Sequence, residues 1–206
     1  MIYMDEKNEQ RVRNAVLNSI YLLGEKIPIR VSGRHIHLCP HDFKRLFGTE
    51  YIKDFEGPYI HKYEAAIMTP SGVIANVPVI GPAKERTQVE ILFGDVRKLK
   101  IPACVRLSGD LEMTPGLILL NQLNTAAIQE GVIIAKRHLH IGAEKAQKLH
   151  LQDGQVVSVV VDGNRKTTFE NVVVRIEMGV RFELHLDQDE ASACNLGPEC
   201  YCYLIP

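Results

Sequence analysis

Arg34-His35-Ile36-His37-Leu38 and Arg137-His138-Leu139-His140-Ile141 are nearly the same string, met twice at a distance of 103 positions. On a β-strand, residues two apart face the same way, so each His-x-His pair aims two imidazoles at one point. Four of the eight histidines lie in this repeat. One such pair on a strand fits hydrogen-bonded structural histidines as well as it fits a metal site. Its duplication favours metal, and neutral imidazole is a good zinc ligand.

Two histidines do not complete a zinc site, because catalytic zinc commonly has three protein ligands and an open fourth position. Each pair has one plausible third ligand. Glu90 lies in Thr87-Gln88-Val89-Glu90-Ile91, whose alternation puts Gln88 and Glu90 on one strand face. His185 lies among apolar neighbours in Phe182-Glu183-Leu184-His185-Leu186. The expected sites are therefore His35, His37 and Glu90, and His138, His140 and His185. His41, His61 and His150 have no partner at ligand spacing and read as surface or helix-capping residues.

The segment Gly81-Pro82-Ala83-Lys84-Glu85-Arg86-Thr87-Gln88 leads into the Glu90 strand. Lys84 and Arg86 bring two cations towards the first site, which suits phosphate or another oxyanion. A solvated charged turn is the commoner fate of such residues. Ser108-Gly109-Asp110-Leu111-Glu112-Met113-Thr114-Pro115-Gly116 is a polar loop that either presents backbone amides to a ligand or forms a plain turn. No P-loop or Rossmann glycine pattern is present, so those nucleotide sites are not expected.

The elements that must hold these residues are mostly β. Val132–Ala135 and Ile27–Val31 are apolar, β-branched runs ahead of the two His pairs. Further strands are expected at Gly72–Ile80, Gln88–Phe93, Val156–Val161, Val172–Glu177 and Arg181–Leu186, with an Asp162-Gly163 turn. A short helical pattern follows each His pair: Pro40–Phe47, stopped by Gly48, and Ala143–Leu149. Another short helix starts at Asp187-Gln188-Asp189-Glu190-Ala191, acidic in its first turn. Strand, His-x-His and short helix thus form a duplicated unit. The fold class expected is mainly β with short capping helices, as two similar small β-barrels. Residues 9–23 look like an amphipathic helix with Val12, Val16, Ile20 and Leu23 on one face. It reads either as an ordinary packed helix or as a detachable tag.

The 206 residues suffice for one large or two small domains, and 46% hydrophobic content for a real core. A net charge of −1 without a basic block gives no support for nucleic-acid binding. No apolar run reaches the ~18–20 residues of a membrane span. Met1–Gln10 lacks the basic start and apolar centre of a signal peptide. Five irregularly spaced cysteines point to a reducing, cytoplasmic setting. Cys200-x-Cys202 has metal-binding chemistry, but small buried hydrophobes on a last strand is the favoured reading.

Five strings together resemble the PduL-type phosphate propanoyltransferase family, the phosphotransacylases of bacterial microcompartments. They are Val31-Ser32-Gly33-Arg34-His35-Ile36-His37-Leu38, Gly81-Pro82 with Thr87-Gln88-Val89-Glu90-Ile91, Ser108–Gly116, Arg137-His138-x-His140, and His185-Leu186-Asp187-x-Asp189-Glu190-Ala191. They span about residues 27–195. The resemblance implies two barrel domains, a pair of zinc ions at their junction, and coenzyme A as substrate. It carries the metal ligands onto His35, His37, Glu90, His138, His140 and His185. It also implies strand exchange, giving domains 34–135, and 25–33 with 136–206, after an N-terminal helix over 1–24. Lys84 stands where the family's phosphate-binding arginine is expected, and Arg86 is the alternative. The N-terminal helix is similar in position to the family's encapsulation helix, which implies a shell-protein partner and a place inside a microcompartment; a homo-oligomer is compatible with this reading.

The expected reaction is reversible: short-chain acyl-CoA (propanoyl-CoA or acetyl-CoA) plus phosphate gives acyl phosphate plus CoA. The same ligands suit a dinuclear zinc hydrolase of esters or phosphoesters. An inactive paralogue serving as a binding module is the third reading, with Lys84 as its sign.

Overall fold

Strand alternation decides which side chains of this chain are buried and which are available for chemistry. The computed structural model describes residues 8, 10–13, 15, 16, 24–50, 63–179, 181–197 and 200–205. In chain order the elements are β1 (Ile27–Ser32), β2 (His35–His37), α1 (Pro40–Phe47), β3 (Glu64–Thr69), β4 (Gly72–Pro78), β5 (Gln88–Ile91), α2 (Phe93–Leu99), β6 (Val105–Arg106), β7 (Leu117–Leu120), β8 (Thr125–Ile128), β9 (Val132–Ala135), β10 (His138–Gly142), α3 (Ala143–Lys148), β11 (Val156–Val161), β12 (Thr167–Glu177), β13 (Phe182–Asp187), α4 (Gln188–Ala193) and β14 (Tyr201–Ile205). They form two compact units. One joins β1 to the chain from Arg137 onward, and the other is Gly33–Lys136.

The first unit is a closed barrel in the order β1-β13-β10-β12-β11-β14. β1 runs parallel to β13 and antiparallel to β14, so the strand ahead of the first His pair completes the ring. Leu139 and Ile141 of β10 and Leu184 and Leu186 of β13 point inwards and are almost wholly buried. With a period of two, His138, His140 and His185 must then stand on the opposite face. Val159, Val161, Val172, Val174, Cys202 and Leu204 fill the same core. Cys202 is thus a core residue, as the small-hydrophobe reading has it.

The second unit was expected to be another barrel. Its described residues form two four-stranded sheets, β2-β5-β9-β6 and β4-β3-β7-β8. A single parallel bridge between Ile36 and Val79 links them. β2 has three residues and β6 two, too few to carry a continuous ladder around a ring. Ile36, Val89, Ile91 and Ile134 enter one apolar core with Phe43 and Leu46 of α1. α1 has Pro40 at its start and ends on Gly48 at φ 68°, the left-handed cap that glycine supplies cheaply. The strand expected over Gln88–Phe93 stops at Ile91, and α2 begins at Phe93.

Of the expected helix over 9–23, residues 10–13, 15 and 16 are described; they are helical, with Val12 and Val16 exposed. The remainder of that expectation, and His61, lie outside the described residues. No helix among the described residues is long and apolar enough to cross a membrane.

Candidate functional site

In the Gly33–Lys136 unit, β2 pairs antiparallel with β5 so that His35 stands opposite Glu90 and His37 opposite Gln88. Ile36 and Val89 turn into the core, which leaves the two imidazoles, Gln88 and Glu90 on the other face. That face is covered too: His35, Glu90 and Gln88 are all buried, Gln88 completely. One ligand atom each from His35, His37 and Glu90 lies within 4.8 Å of the others.

The hydrogen bonds around this triad orient it. His35 Nδ1 is 2.9 Å from the Gly33 carbonyl oxygen, and His37 Nδ1 is 3.3 Å from that of Pro82. A carbonyl only accepts, so each Nδ1 carries a proton, and Nε2 is the nitrogen of each ring available to bind an ion once its own proton is lost. Glu90 Oε1 accepts from Gln88 Nε2 at 2.6 Å, while Oε2 lies 3.4 Å from His35 Nε2. Backbone carbonyls and an amide fixing the far atoms of the ligands is the usual second layer of a metal site.

Burial, followed by the nearby charges of Lys84 and His35, pulls His37 down to about 4, so its imidazole is neutral at ordinary pH. Burial also acts to lower His35, but the hydrogen bond and charge of Glu90 outweigh it and the net shift is upwards. Burial acts to raise Glu90; His35, His37 and Lys84 overcome it and hold the carboxylate at about 2. A buried anion beside two imidazoles is a donor set that fits a divalent cation.

Lys84 reaches this cluster. Its Nζ donates to Ser108 Oγ, and its charge acts on all three triad members. Ser108 also accepts from Gln88 Nε2 at 3.0 Å, and Gly109 N–H donates to Gln88 Oε1 at 2.8 Å. The polar loop from Ser108 therefore lends its amide to Gln88. Arg86 turns elsewhere: Nη2 pairs with Glu130 Oε2 at 2.7 Å, and the side chain is more than half exposed. Thr87 ties α1 to this segment, donating to Asp42 Oδ2 at 2.6 Å and accepting from Cys39 N–H at 3.0 Å.

The barrel carries the second triad on its outer face. His138 stands directly opposite His185 across the β10–β13 pair. His138 Nε2 and His140 Nε2 are 3.0 Å apart, and one ligand nitrogen from each of His138, His140 and His185 falls within 4.8 Å of the others. Nitrogens held tetrahedrally by one zinc stand about 3.3 Å apart at ordinary bond lengths. His140 Nδ1 lies 2.8 Å from Glu177 Oε1 but off the line of a hydrogen bond, and is a buried nitrogen without a hydrogen-bond partner. Glu183 Oε1 contacts His185 Nε2 at 2.8 Å. Burial lowers both His140 and His185, and neighbouring histidines add to it. Three imidazoles flanked by two carboxylates again fit a divalent ion.

His41 and His150 are exposed and join neither triad. Gln88, Glu177 and Glu183 were not singled out as site residues in the sequence. Of these, Gln88 was the legible one, since it shares a strand face with Glu90. The partners of Arg34 and Arg137, both letters of the repeated string, lie 61 and 53 positions away and left no signal.

Comparison with known proteins places the chain in a class of acyl-transferring enzymes. Residues 28–197 match the sequence model of phosphate propanoyltransferase, and the chain belongs to that family. A phosphate propanoyltransferase of Listeria monocytogenes is 40% identical over 179 residues, 84% of each chain. One from Thermotoga maritima is 37% identical over 199 residues, covering 92% of this chain and 95% of its own. One from Citrobacter freundii is 35% identical over 206 residues, 96% of this chain and 98% of the other.

Proposed function

We propose that the chain is a zinc-dependent phosphate acyltransferase that exchanges coenzyme A and phosphate on a short acyl group. Acyl-CoA and phosphate give acyl phosphate and CoA, reversibly. The observation that carries the metal reading is the pair of Nδ1–H···carbonyl hydrogen bonds at His35 and His37, which occupy Nδ1 of each ring and leave Nε2 as the nitrogen an ion beside Glu90 would use. Family membership supports the reaction.

Each triad is read as holding one zinc ion, with His35, His37 and Glu90 on one and His138, His140 and His185 on the other. Bound zinc supplies Lewis acidity towards phosphate oxygens and a thioester carbonyl. The residues of the chain orient and balance charge. Lys84, steadied by Ser108, neutralises the incoming phosphate, and Gln88 holds Glu90 in place. A phosphate oxygen attacks the thioester carbonyl carbon, the carbon–sulfur bond breaks, and the electron pair leaves on the CoA thiolate. Holding both reactants in one orientation supplies much of the rate.

In this reading the two linked sheets of Gly33–Lys136 are the first half of the duplication, the counterpart of the closed barrel. The domains are then 34–135, and 25–33 with 136–206. The segment 1–24 is an encapsulation tag, to which the exposure of Val12 and Val16 lends support. Its partner would be a microcompartment shell protein.

The test is CoA release from propanoyl-CoA and acetyl-CoA, with and without phosphate, on protein of measured zinc content. Release that requires phosphate and yields acyl phosphate is expected. Phosphate-independent release would make the protein a hydrolase, and zinc-loaded protein without release would make it a binding module; either overturns the proposal.

A further inference from the structure

The arginine that opens each repeated string pairs with an equivalently placed carboxylate in both units. Arg34 grips Asp95 with two parallel bonds, Nε to Oδ2 and Nη2 to Oδ1, each 2.9 Å. Arg137 Nε reaches Glu190 Oε1 at 2.9 Å. Asp95 and Glu190 occupy equivalent places. Each is the third residue of the short helix that follows the strand of the third ligand, α2 after β5 and α4 after β13. Each lies five residues beyond that ligand, Glu90 or His185. Each also accepts the backbone N–H at its helix start, Leu92 N at 3.0 Å and Asp187 N at 3.0 Å. The two partners in a pair belong to one unit.

We infer that Arg34 and Arg137 are positioning residues, each locking the strand that carries a His-x-His pair in register against the strand that carries the third ligand. The inference rests on the reading of the triads as metal sites. Its physical ground is register. His35 faces Glu90, and His138 faces His185, only in the observed pairing. A slip of one residue would turn Ile36 outwards and both imidazoles of the first pair into the core. β2 has three residues to prevent this. The arginine sits one residue before the first histidine, beside the end of the partner strand. At Arg34 the planar fork fixes direction as well as distance, which a lysine ammonium does not. The carboxylate is already held by the helix start, so the arginine is anchored to a fixed point.

The closing experiment measures zinc stoichiometry and affinity by chelator competition on the full chain, for wild type, R34M, R34K and R137M. Visible spectra of the cobalt-substituted proteins are recorded beside them. Wild type should bind two zinc ions. R34M should weaken one site ten- to hundred-fold, the usual cost of losing an outer partner. R137M should do the same to the other site. Each variant should change the cobalt band of its own site and leave the other band unaltered. R34K, which keeps the charge and loses the fork, should also weaken its site and answers the question if R34M does not fold. Wild-type affinity and spectra at both sites in the folded variants would overturn the inference. A wild-type protein that binds no metal would instead overturn the metal reading, which separates the two failures.

Discussion

Gln88 donates to Glu90 Oε1 at 2.6 Å through its amide nitrogen, and its carbonyl oxygen accepts the Gly109 N–H at 2.8 Å. The side chain is wholly buried, so the polar loop, the orienting amide and the carboxylate form one chain of contacts. Replacing Gln88 by Leu strands one carboxylate oxygen and one backbone N–H away from water. Each unsatisfied buried group costs about 1–3 kcal/mol. Gln88→Leu should lower the urea midpoint without changing the m-value, and should weaken zinc at the first site. A variant with wild-type midpoint and wild-type zinc affinity would show that the amide positions nothing.

The ligand sets are tested one residue at a time. Glu90→Gln keeps the shape of the side chain and replaces an anionic oxygen donor with a neutral amide, a poor zinc ligand. His138→Ala removes a nitrogen from the other triad. Zinc per chain should fall from two to about one in each variant, with acyl exchange reduced at least a hundredfold. The double variant should bind no tightly held zinc. Undiminished zinc in either single variant would remove that residue from its set.

What the sequence made legible follows from periodicity. Leu139 and Ile141 alternate with His138 and His140, so burying the leucine and isoleucine forces the imidazoles onto the other face. The spans of α1 and β11 agree with their patterns because a proline start, a glycine cap and a β-branched run are local signals. α2 was missed: Gly94 breaks its pattern, and Asp95 acquires its role only through Arg34. The closed ring of the first unit depends on β1 pairing with β13 and β14, far along the chain. No property of residues 27–32 announces those partners.

Cys202 offers a pH test remote from both triads. Burial pushes its thiol up to about 12, from an ordinary value of 9.0. The fold therefore favours the neutral thiol. The stabilisation is fully present below about pH 9, and is lost as the pH rises towards the folded value. Between about pH 8 and 11, wild type should lose more unfolding free energy than Cys202→Ala, although the variant starts lower because of the cavity left behind. In the native protein at about pH 8, Cys202 should resist alkylation until denaturant is added. Rapid native-state labelling at this position, read by peptide mass, would show that the barrel core admits solvent there.

Lys84 separates the role of charge from that of geometry. It is the cation that acts on His35, His37 and Glu90, whereas Arg86 is held by Glu130. Lys84→Met should raise the KM for phosphate at least tenfold and lower kcat, because the incoming anion then lacks its counter-charge. Lys84→Arg restores the charge and adds a planar fork suited to two phosphate oxygens. Its KM for phosphate should equal or fall below that of wild type, with the KM for acyl-CoA unchanged. Arg86→Met should leave phosphate kinetics near wild type. It should lower stability by no more than about 1 kcal/mol, since the pair it breaks is exposed. If Arg86→Met, and not Lys84→Met, raises the phosphate KM, the roles of the two cations are reversed, and the pairing with Glu130 must open when phosphate binds.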